Sequence, residues 1–178
     1  MKHKAMQTYM FLSAIKDYKK HNKKILKYME EMNAPVRQNS EELISASDWK
    51  VSKKAKRKYL DYFYKLIPPH MDAICKKLKL TEWNTTNGWF QKYGPGDYHS
   101  WHVHPESNWA NVYYIQDGGP QTETQLYDPI LNQTYAIPME EGQILTFPAN
   151  IIHQSPFNRG VKTKIVISFN SNFWNYEV

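Results

Sequence analysis

The spacing of hydrophobic and polar positions changes near residue 80 and divides the chain into two predicted parts. Over residues 5–32, apolar side chains recur near a helical period with lysines between them, and Asn33-Ala34-Pro35 ends this predicted helix. A second apolar stripe over residues 51–66 predicts another helix, and Pro68-Pro69 begins a short third one that reaches about residue 78. Residues 36–47 are polar and turn-rich, so residues 1–80 are predicted to be helices with a polar loop between the first two.

Beyond residue 80 the pattern is typical of strands. Lysine becomes rare, glycine, asparagine and aromatic residues increase, and short apolar or alternating runs are separated by turn residues. Eight such runs predict a β-sandwich or barrel; they cover residues 88–93, 100–104, 110–116, 124–127, 133–137, 143–147, 151–154 and 164–169. We expect one α+β domain over residues 1–178, with a helical buttress (1–80) beside a β core (81–178).

Composition narrows the class of protein. The 178 residues are 41% hydrophobic and include 13 Tyr, 7 Phe and 6 Trp, enough to bury a core. Cys75 is the only cysteine, so no intramolecular disulfide can form, and we expect a small buried side chain in a reducing, cytoplasmic setting. Because no apolar run reaches 18 residues, and no signal-peptide pattern follows the basic first residues, a membrane partner is not expected.

Charge is distributed unevenly. Residues 1–80 carry 19 of the 23 Lys and Arg against 8 acidic residues, whereas residues 81–178 carry 4 against 9. A basic face of this kind can bind nucleic acid or an acidic partner, or can be a solvated helical surface. The solvated surface is the preferred interpretation, because the lysines are spread along the chain and only residues 53–58 form a dense cluster.

The candidate chemistry lies in three histidines. His102 and His104 are two residues apart, so on an extended strand their side chains point the same way. His153 follows a later apolar run and can supply a third imidazole. Imidazole suits iron, zinc, copper and nickel, and three histidines with open coordination positions are typical of a catalytic metal site.

The spacing around these histidines resembles the two half-motifs of cupins, the double-stranded β-helix superfamily. Gly96 precedes the His-x-His pair by five intervening residues, and a Gly142, Pro148, Asn150 series leads to His153. The resemblance implies a jelly-roll or cupin-like barrel.

A narrower resemblance covers residues 87–173. The ordered segments look like those of 2-oxoglutarate/Fe(II)-dependent oxygenases related to prolyl hydroxylases, found in bacteria and in phages of marine bacteria; they are Asn87-Gly88-Trp89, His102-Val103-His104-Pro105-Glu106-Ser107, Val112-Tyr113-Tyr114, Tyr127-Asp128-Pro129, Glu141-Gly142, Phe147-Pro148-Ala149, His153 and residues 164–170. The earlier segment Ser47-Asp48-Trp49 is compatible with this resemblance. The resemblance implies Fe(II), 2-oxoglutarate and molecular oxygen as reactants, and the cytoplasm, including that of a phage-infected host, as the location.

By the same resemblance, His102, His104 and His153 occupy the metal positions. Most relatives place a carboxylate where this chain has His104, so Glu106 or Asp97 is considered as a substitute ligand.

The cosubstrate positions also depart from the usual pattern. Lys164 stands where relatives place an Arg that grips the cosubstrate carboxylate, and the usual hydroxyl position is Val166. Ser168 and Asn170 share the strand face of Lys164 and are expected to assist it. Two further candidates are Tyr113, which would face the cavity together with Asn111, and Arg159, whose turn setting suggests exposure.

Three functions remain open. The first is a dioxygenase that hydroxylates an unactivated C–H bond of a prolyl peptide, free amino acid, other small molecule or nucleobase. The second is a three-His cupin dioxygenase or isomerase that does not use 2-oxoglutarate. The third is a non-catalytic cupin-fold binding protein whose basic helices dock an acidic partner. His99 is either a partner of a metal ligand or an exposed loop residue, and we expect His3, His21 and His70 to be solvated.

Overall fold

The computed structural model describes residues 9–32, 34–52 and 54–176. Within these residues the chain forms twelve strands and three helices, in the order β1 Phe11–Ala14, α1 Tyr18–Glu30, β2 Arg37–Gln38, β3 Glu42–Ile44, β4 Ala46–Ser47, α2 Lys58–Phe63, α3 Pro68–Leu78, β5 Glu82–Tyr93, β6 Tyr98–His102, β7 Trp109–Gln116, β8 Gln125–Asp128, β9 Gln133–Ala136, β10 Gln143–Pro148, β11 Ile152–Ser155 and β12 Lys164–Trp174.

The strands form two six-stranded antiparallel sheets. The first has the order β1-β10-β7-β12-β5-β4, and the second has the order β2-β3-β6-β11-β8-β9. All eight strands predicted beyond residue 80 are confirmed, although β5 and β12 are about twice as long as the patterns suggested. The longer strands pair with each other from Lys164 to Trp174 and form the backbone of the first sheet.

The N-terminal part differs from the helical prediction. Residues 11–14 form β1, which pairs with β10 along its full length, and α1 begins only at Tyr18. The alternating burial of β1 explains why residues 11–14 were wrongly assigned to the predicted helix. One face of this edge strand packs on the protein while the other face is solvated. Residues 5–8 of the predicted helix and His3 lie outside the described residues. Residues 37–47, expected to be a polar loop, supply β2, β3 and β4 to both sheets.

The three helices pack their apolar sides into one buried cluster. This cluster joins them to the first sheet; its members include Ile25, Met29, Tyr59, Phe63, Met71, Ile74, Cys75, Phe90, Tyr113, Ile144, Ile167 and Phe169. The predicted burial of Cys75 is confirmed. Helix α2 covers only the middle of the apolar stripe predicted over residues 51–66. No helix among the described residues has the length and hydropathy needed to span a membrane.

A second cluster fills the space between the two sheets. It contains inward-facing side chains of both sheets, among them Ile44, Tyr93, Val112, Tyr114, Leu126, Leu145, Phe147 and Val166. Strand alternation on β7 therefore sends Val112 and Tyr114 inward and sends Tyr113 towards the helices.

The turn glycines of the two half-motifs have left-handed backbones. Gly96 has φ 88° and Gly142 has φ 87°, a region that residues with a Cβ rarely adopt. A Cβ on Gly142 would also lie 2.2 Å from the Tyr18 ring. The Gly142 N–H donates to the carbonyl of Tyr114 at 2.7 Å, so this turn fixes the start of β10 against β7.

Asp48 ties the segment after β4 to the first sheet. Its side chain is fully buried, and its Oδ1 accepts a hydrogen bond from the Phe90 N–H at 2.9 Å. Its Oδ2 accepts from Arg57 Nε at 2.8 Å and from the Tyr59 hydroxyl at 2.6 Å. A buried carboxylate is stable only when paired and hydrogen-bonded in this way, so α2, β4 and β5 are fixed together through one side chain.

We predict that Asp48→Ala lowers the free energy of unfolding by about 3–5 kcal/mol, because it leaves the Arg57 charge without its buried partner. Urea denaturation followed by circular dichroism measures the change. Asp61→Ala, at an exposed position on α2, is the control and should change stability by about 0.5 kcal/mol or less. An equally small effect of Asp48→Ala would contradict the role given to Asp48.

His70 is buried, which corrects the expectation that it is solvated. It lies on the same helical face as Met71 and Ile74, and its ring contacts two hydroxyls: Ser13 Oγ is 2.5 Å from Nδ1, and Thr146 Oγ1 is 2.7 Å from Nε2. Thr146 donates its own proton to Asn111 at 2.6 Å, so Nε2 must donate to Thr146 and Nδ1 must accept from Ser13. Burial of this neutral ring lowers the pKa of His70 to about 4.

This shift predicts acid sensitivity of the fold. A histidine with a pKa near 6.5 when unfolded binds a proton more readily in the unfolded chain, so stability is lost as the pH falls from about 6.5 towards 4. We expect the urea midpoint to fall over this range, and to fall less steeply in His70→Asn, which has no titrating group at this position. Parallel pH profiles of the two proteins would contradict the assignment.

Candidate metal centre

Three imidazoles meet at one end of the second sheet. His102 ends β6 and lies directly opposite His153 of β11 in the antiparallel register. His104 lies two residues beyond the end of β6, and its backbone N–H donates to the carbonyl of Ala149 at 2.9 Å, which holds this segment against the chain leading into β11. The structure therefore brings together the three histidines that the sequence singled out.

The backbone orients two of the three rings. Nδ1 of His102 is 2.7 Å from the carbonyl of Ser100, and Nδ1 of His153 is 2.9 Å from the carbonyl of Ile151. A carbonyl can only accept, so each Nδ1 carries the proton and each Nε2 keeps its lone pair. Metal-binding histidines use such hydrogen bonds to fix ring orientation and tautomer.

The distances between the ligand atoms suit a single ion. One ring nitrogen from each histidine lies within 4.8 Å of the other two, and the Nε2 atoms of His104 and His153 are 3.1 Å apart. Two nitrogens that each lie about 2.1 Å from one ion are about 3.0 to 3.4 Å apart at coordination angles between 90° and 109°. The donor set therefore fits a metal such as Fe(II), which accepts imidazole ligands.

Burial keeps these rings neutral. It lowers the pKa of His102, lowers that of His104 to about 4, and lowers that of His153 well below its usual range. The neighbouring imidazoles add to the shifts of His104 and His153 because two positive charges so close together repel each other. Neutral imidazole is the form that binds a metal, so protons compete with the ion only in acid.

Within the described residues, no carboxylate joins the three histidines. Asp97 is buried in the turn before β6, where its Oδ2 accepts hydrogen bonds from Ser45 and Gly94. Glu106 is exposed and lines the outer cleft instead. Neither substitute proposed from the sequence lies with the three histidines, and all three candidate ligands are uncharged.

His99 is a packing partner of His102. The two rings stack with their centroids 3.9 Å apart and 18° between their planes, and His99 lines the cavity rather than an exposed loop. Its Nε2 is 3.7 Å from Oε2 of Glu42, a buried carboxylate paired with Arg37. Sequence reasoning missed Glu42, because its segment resembled a polar loop and its burial depends on the β3–β6 pairing.

Lys164 lies fully inside the barrel, as its position on the predicted strand suggested. Its Nζ donates to the carbonyl of Thr122 at 2.7 Å and to Ser155 Oγ at 3.0 Å, and it faces the rings of Tyr93 and Tyr114. Burial lowers the pKa of Lys164 to about 7, against the smaller opposing effects of Glu123 and Asp117. Arg159, the other candidate cation, is exposed.

One cavity of about 40 Å³ connects the histidines and Lys164. Val166, Ser168 and Asn170 line it together with Lys164, in agreement with the strand alternation. Ser168 Oγ donates to Oε1 of Gln91 at 2.9 Å, so this hydroxyl is already engaged by a neighbouring side chain. A wider cleft of about 300 Å³ adjoins the cavity through Trp89, His102, His104 and Asn170.

Tyr113 lies on the other side of the first sheet, contrary to the prediction that it faces the cavity. Its hydroxyl donates to Oδ1 of Asn22 at 2.5 Å, and its ring packs on Phe63. The pairing of Tyr113 with Asn111 on one face was correct, but that face is covered by the helices. Tyr114 points inward instead, and its hydroxyl contacts Thr124 at 2.7 Å.

Comparison with known proteins gives a similar fold but no sequence family. No protein-family model matches the sequence, and no curated protein is detectably similar to it. A Pseudomonas putida prolyl-4-hydroxylase superposes with a TM-score of 0.65 at 10% identity, covering 96% of this chain and 95% of that one. A viral collagen prolyl hydroxylase from Paramecium Bursaria Chlorella virus-1, in a 2-oxoglutarate complex, gives 0.62 at 12%, covering 92% and 95%.

A third structure extends the similarity beyond prolyl hydroxylases. The non-heme α-ketoglutarate-dependent epimerase SnoN from nogalamycin biosynthesis superposes with a TM-score of 0.69 at 8% identity, covering 91% of this chain and 76% of that one. The mostly antiparallel fold of the chain thus resembles the double-stranded β-helix fold of these three proteins.

Proposed function

We propose that the protein is an Fe(II)- and 2-oxoglutarate-dependent dioxygenase that hydroxylates an unactivated C–H bond. The observation that carries this proposal is the convergence of His102, His104 and His153, with two Nε2 lone pairs fixed by backbone carbonyls, at a cavity that also holds a buried lysine. When bound, iron and 2-oxoglutarate would supply the oxidising chemistry: O2 converts 2-oxoglutarate to succinate and CO2 and hydroxylates the substrate.

The residues of the chain would bind and orient the reactants. The three histidines would hold the metal, and Lys164 would pair with the distal carboxylate of 2-oxoglutarate as a point charge. Ser168 and Asn170 would line the cosubstrate site. Ser155, whose Oγ accepts a hydrogen bond from Lys164, is a further candidate for contacting the cosubstrate. Tyr93, Tyr114 and Val166 would exclude water, because they bury the lysine from the inner side.

The uncharged ligand set favours one alternative chemistry. Without a carboxylate ligand, the site leaves more positive charge on the metal, as in a three-His cupin dioxygenase or isomerase that does not use 2-oxoglutarate. Lys164 argues for 2-oxoglutarate, because burying an ammonium group is costly and an anionic ligand would offset that cost. Succinate formation during turnover distinguishes the two functions.

We also propose a domain organisation and a cellular location for the protein. We infer that residues 1–178 form a single domain, because β1 to β4 extend both sheets, and that the helices buttress the first sheet through their shared cluster. A cytoplasmic location is proposed because the single cysteine suits a reducing compartment.

Binding of Fe(II) by the three histidines can be measured directly. Anaerobic Fe(II) followed by 2-oxoglutarate should produce a visible metal-to-ligand charge-transfer band in the wild-type protein. His153→Ala should lose the band and lower Fe(II) affinity by tenfold or more, since it removes one of three ligands. His21→Gln, at a half-buried histidine on α1, is the control and should behave like wild type. Full activity of His153→Ala would refute the assignment.

The role of Lys164 in binding 2-oxoglutarate predicts a dependence on pH. Its pKa of about 7 means that the free amine is mostly charged at pH 6 and mostly neutral at pH 8.5. The affinity for 2-oxoglutarate, measured by titrating the band, should therefore fall as the pH rises through 7. Lys164→Met should bind 2-oxoglutarate weakly at every pH while retaining Fe(II), and Lys164→Arg should restore part of the affinity. A pH-independent affinity in the wild type would contradict this role.

A further inference from the structure

A long groove leads away from the metal centre. The outer cleft of about 300 Å³ is continuous with a second cleft of about 370 Å³, and both are lined by Trp49, Asn87, Trp89 and Glu106. The inner end reaches His102 and His104, and the outer end reaches Arg57 and Tyr64. Two adjoining clefts that share these residues offer room for an extended ligand.

Aromatic rings connect the surface to the metal centre along this groove. The Trp49 side chain is 41% exposed, although tryptophan is usually well covered. Its ring meets Trp89 edge to face at a centroid distance of 4.1 Å, and the Trp89 ring is 5.9 Å from that of His104. Arg37 lies 5.9 Å over the Trp49 ring from the side of the metal centre.

Trp49 is held rigidly in this position. Asp48, directly before it, is fixed to Phe90, Arg57 and Tyr59, and the Trp49 N–H donates to Ser47 Oγ at 3.2 Å. Phe90 directly follows Trp89, so the same carboxylate sets the relative position of both tryptophans. An exposed aromatic ring on a fixed backbone offers a stacking surface at little cost in conformational entropy.

The segment that follows Trp49 in the sequence is strongly basic. Lys50 directly follows Trp49, Lys56 directly precedes Arg57, and Lys54 lies between them. All three side chains are exposed, and among the described residues none of them is in an ion pair. Residues 49–60 contain no acidic residue. Arg57 pairs with Asp48 and Lys58 pairs with Glu31, so the positive charge without an ion-pair partner among the described residues is that of the three exposed lysines.

We propose that the substrate is a single-stranded nucleic acid, and that the groove presents one of its bases to the metal centre. In this arrangement Trp49 stacks on a base, the three lysines contact the backbone phosphates, and Arg37 and Asn87 contact the nucleotide nearest the site. Glu106, the acidic group that faces the groove, would accept from an exocyclic amino group. The reaction at the base rests on the proposed function, whereas the binding of nucleic acid to the groove does not.

A nucleic acid explains the groove better than an acidic peptide does. A peptide rich in carboxylates would account for the lysines but gives no reason for a partly exposed tryptophan ring close to them. An aromatic stacking surface next to unpaired basic side chains is the combination with which proteins bind single strands.

The test measures binding of a 5′-fluorescein-labelled 12-nucleotide single-stranded DNA of mixed sequence to the full-length chain, by fluorescence anisotropy without metal. Wild type should bind, with an affinity that falls as salt rises. Trp49→Ala should weaken binding by about 5- to 150-fold, the range typical of one lost stacking contact, and Trp49→Phe should recover most of it.

The lysines are tested together. The variant K50Q/K54Q/K56Q should flatten the slope of log affinity against log salt by about 2, as expected for three lost phosphate contacts on a single strand. The control K16Q/K19Q/K23Q removes the same charge from exposed positions near and on α1, outside the basic segment that follows Trp49. It should leave the slope near the wild-type value.

The proposal would be overturned by absence of binding, by binding that is unchanged in Trp49→Ala, or by equal loss in both lysine variants. Displacement of the DNA by poly-L-glutamate at equal charge concentration would instead indicate an acidic protein partner and would also overturn it. Failure of DNA binding with an intact Fe(II)/2-oxoglutarate band would refute only this substrate. Loss of the band with intact DNA binding would refute only the proposed chemistry.

Discussion

The antiparallel pairing of β6 with β11 is the constraint on which the site depends. It sets His102 and His153 opposite each other on neighbouring strands, although they are 51 positions apart in the sequence. The carbonyls of Ser100 and Ile151 then fix both rings in one tautomer, each two residues before the histidine it holds. A shift of one residue in this register would turn one imidazole to the opposite face of the sheet and dismantle the centre.

The rest of the fold supports this pairing from both sides. Inward-facing side chains such as Phe147 and Leu126 fill the space behind the histidines, and the Phe147 ring packs at 4.8 Å on His153. The opposite side of the first sheet is covered by the helices, where His70 and Asn111 form a satisfied polar network. Lys164 places an amine in this interior, and a buried cation beside a candidate metal centre is the strongest indication of an anionic ligand.

Much of this architecture could be predicted from the sequence, because its signals are local. Strand alternation located the eight strands beyond residue 80, and the spacing of Gly96 and Gly142 relative to the histidines identified the two turns. Other features depend on tertiary pairing and left no local signal. The side of β7 that faces the cavity decided the position of Tyr113, and the pairing of β3 with β6 decided the burial of Glu42. His70 lay on a visible apolar stripe, but its neighbouring prolines suggested exposure.

The central claim is that these three imidazoles hold one metal ion. Crystals grown anaerobically with Fe(II), with diffraction recorded on both sides of the iron absorption edge, test it most directly. We predict one anomalous peak within about 2.3 Å of the Nε2 atoms of His102 and His153 and of a ring nitrogen of His104. A peak bound elsewhere, or no peak with ordered rings in their present positions, would contradict it.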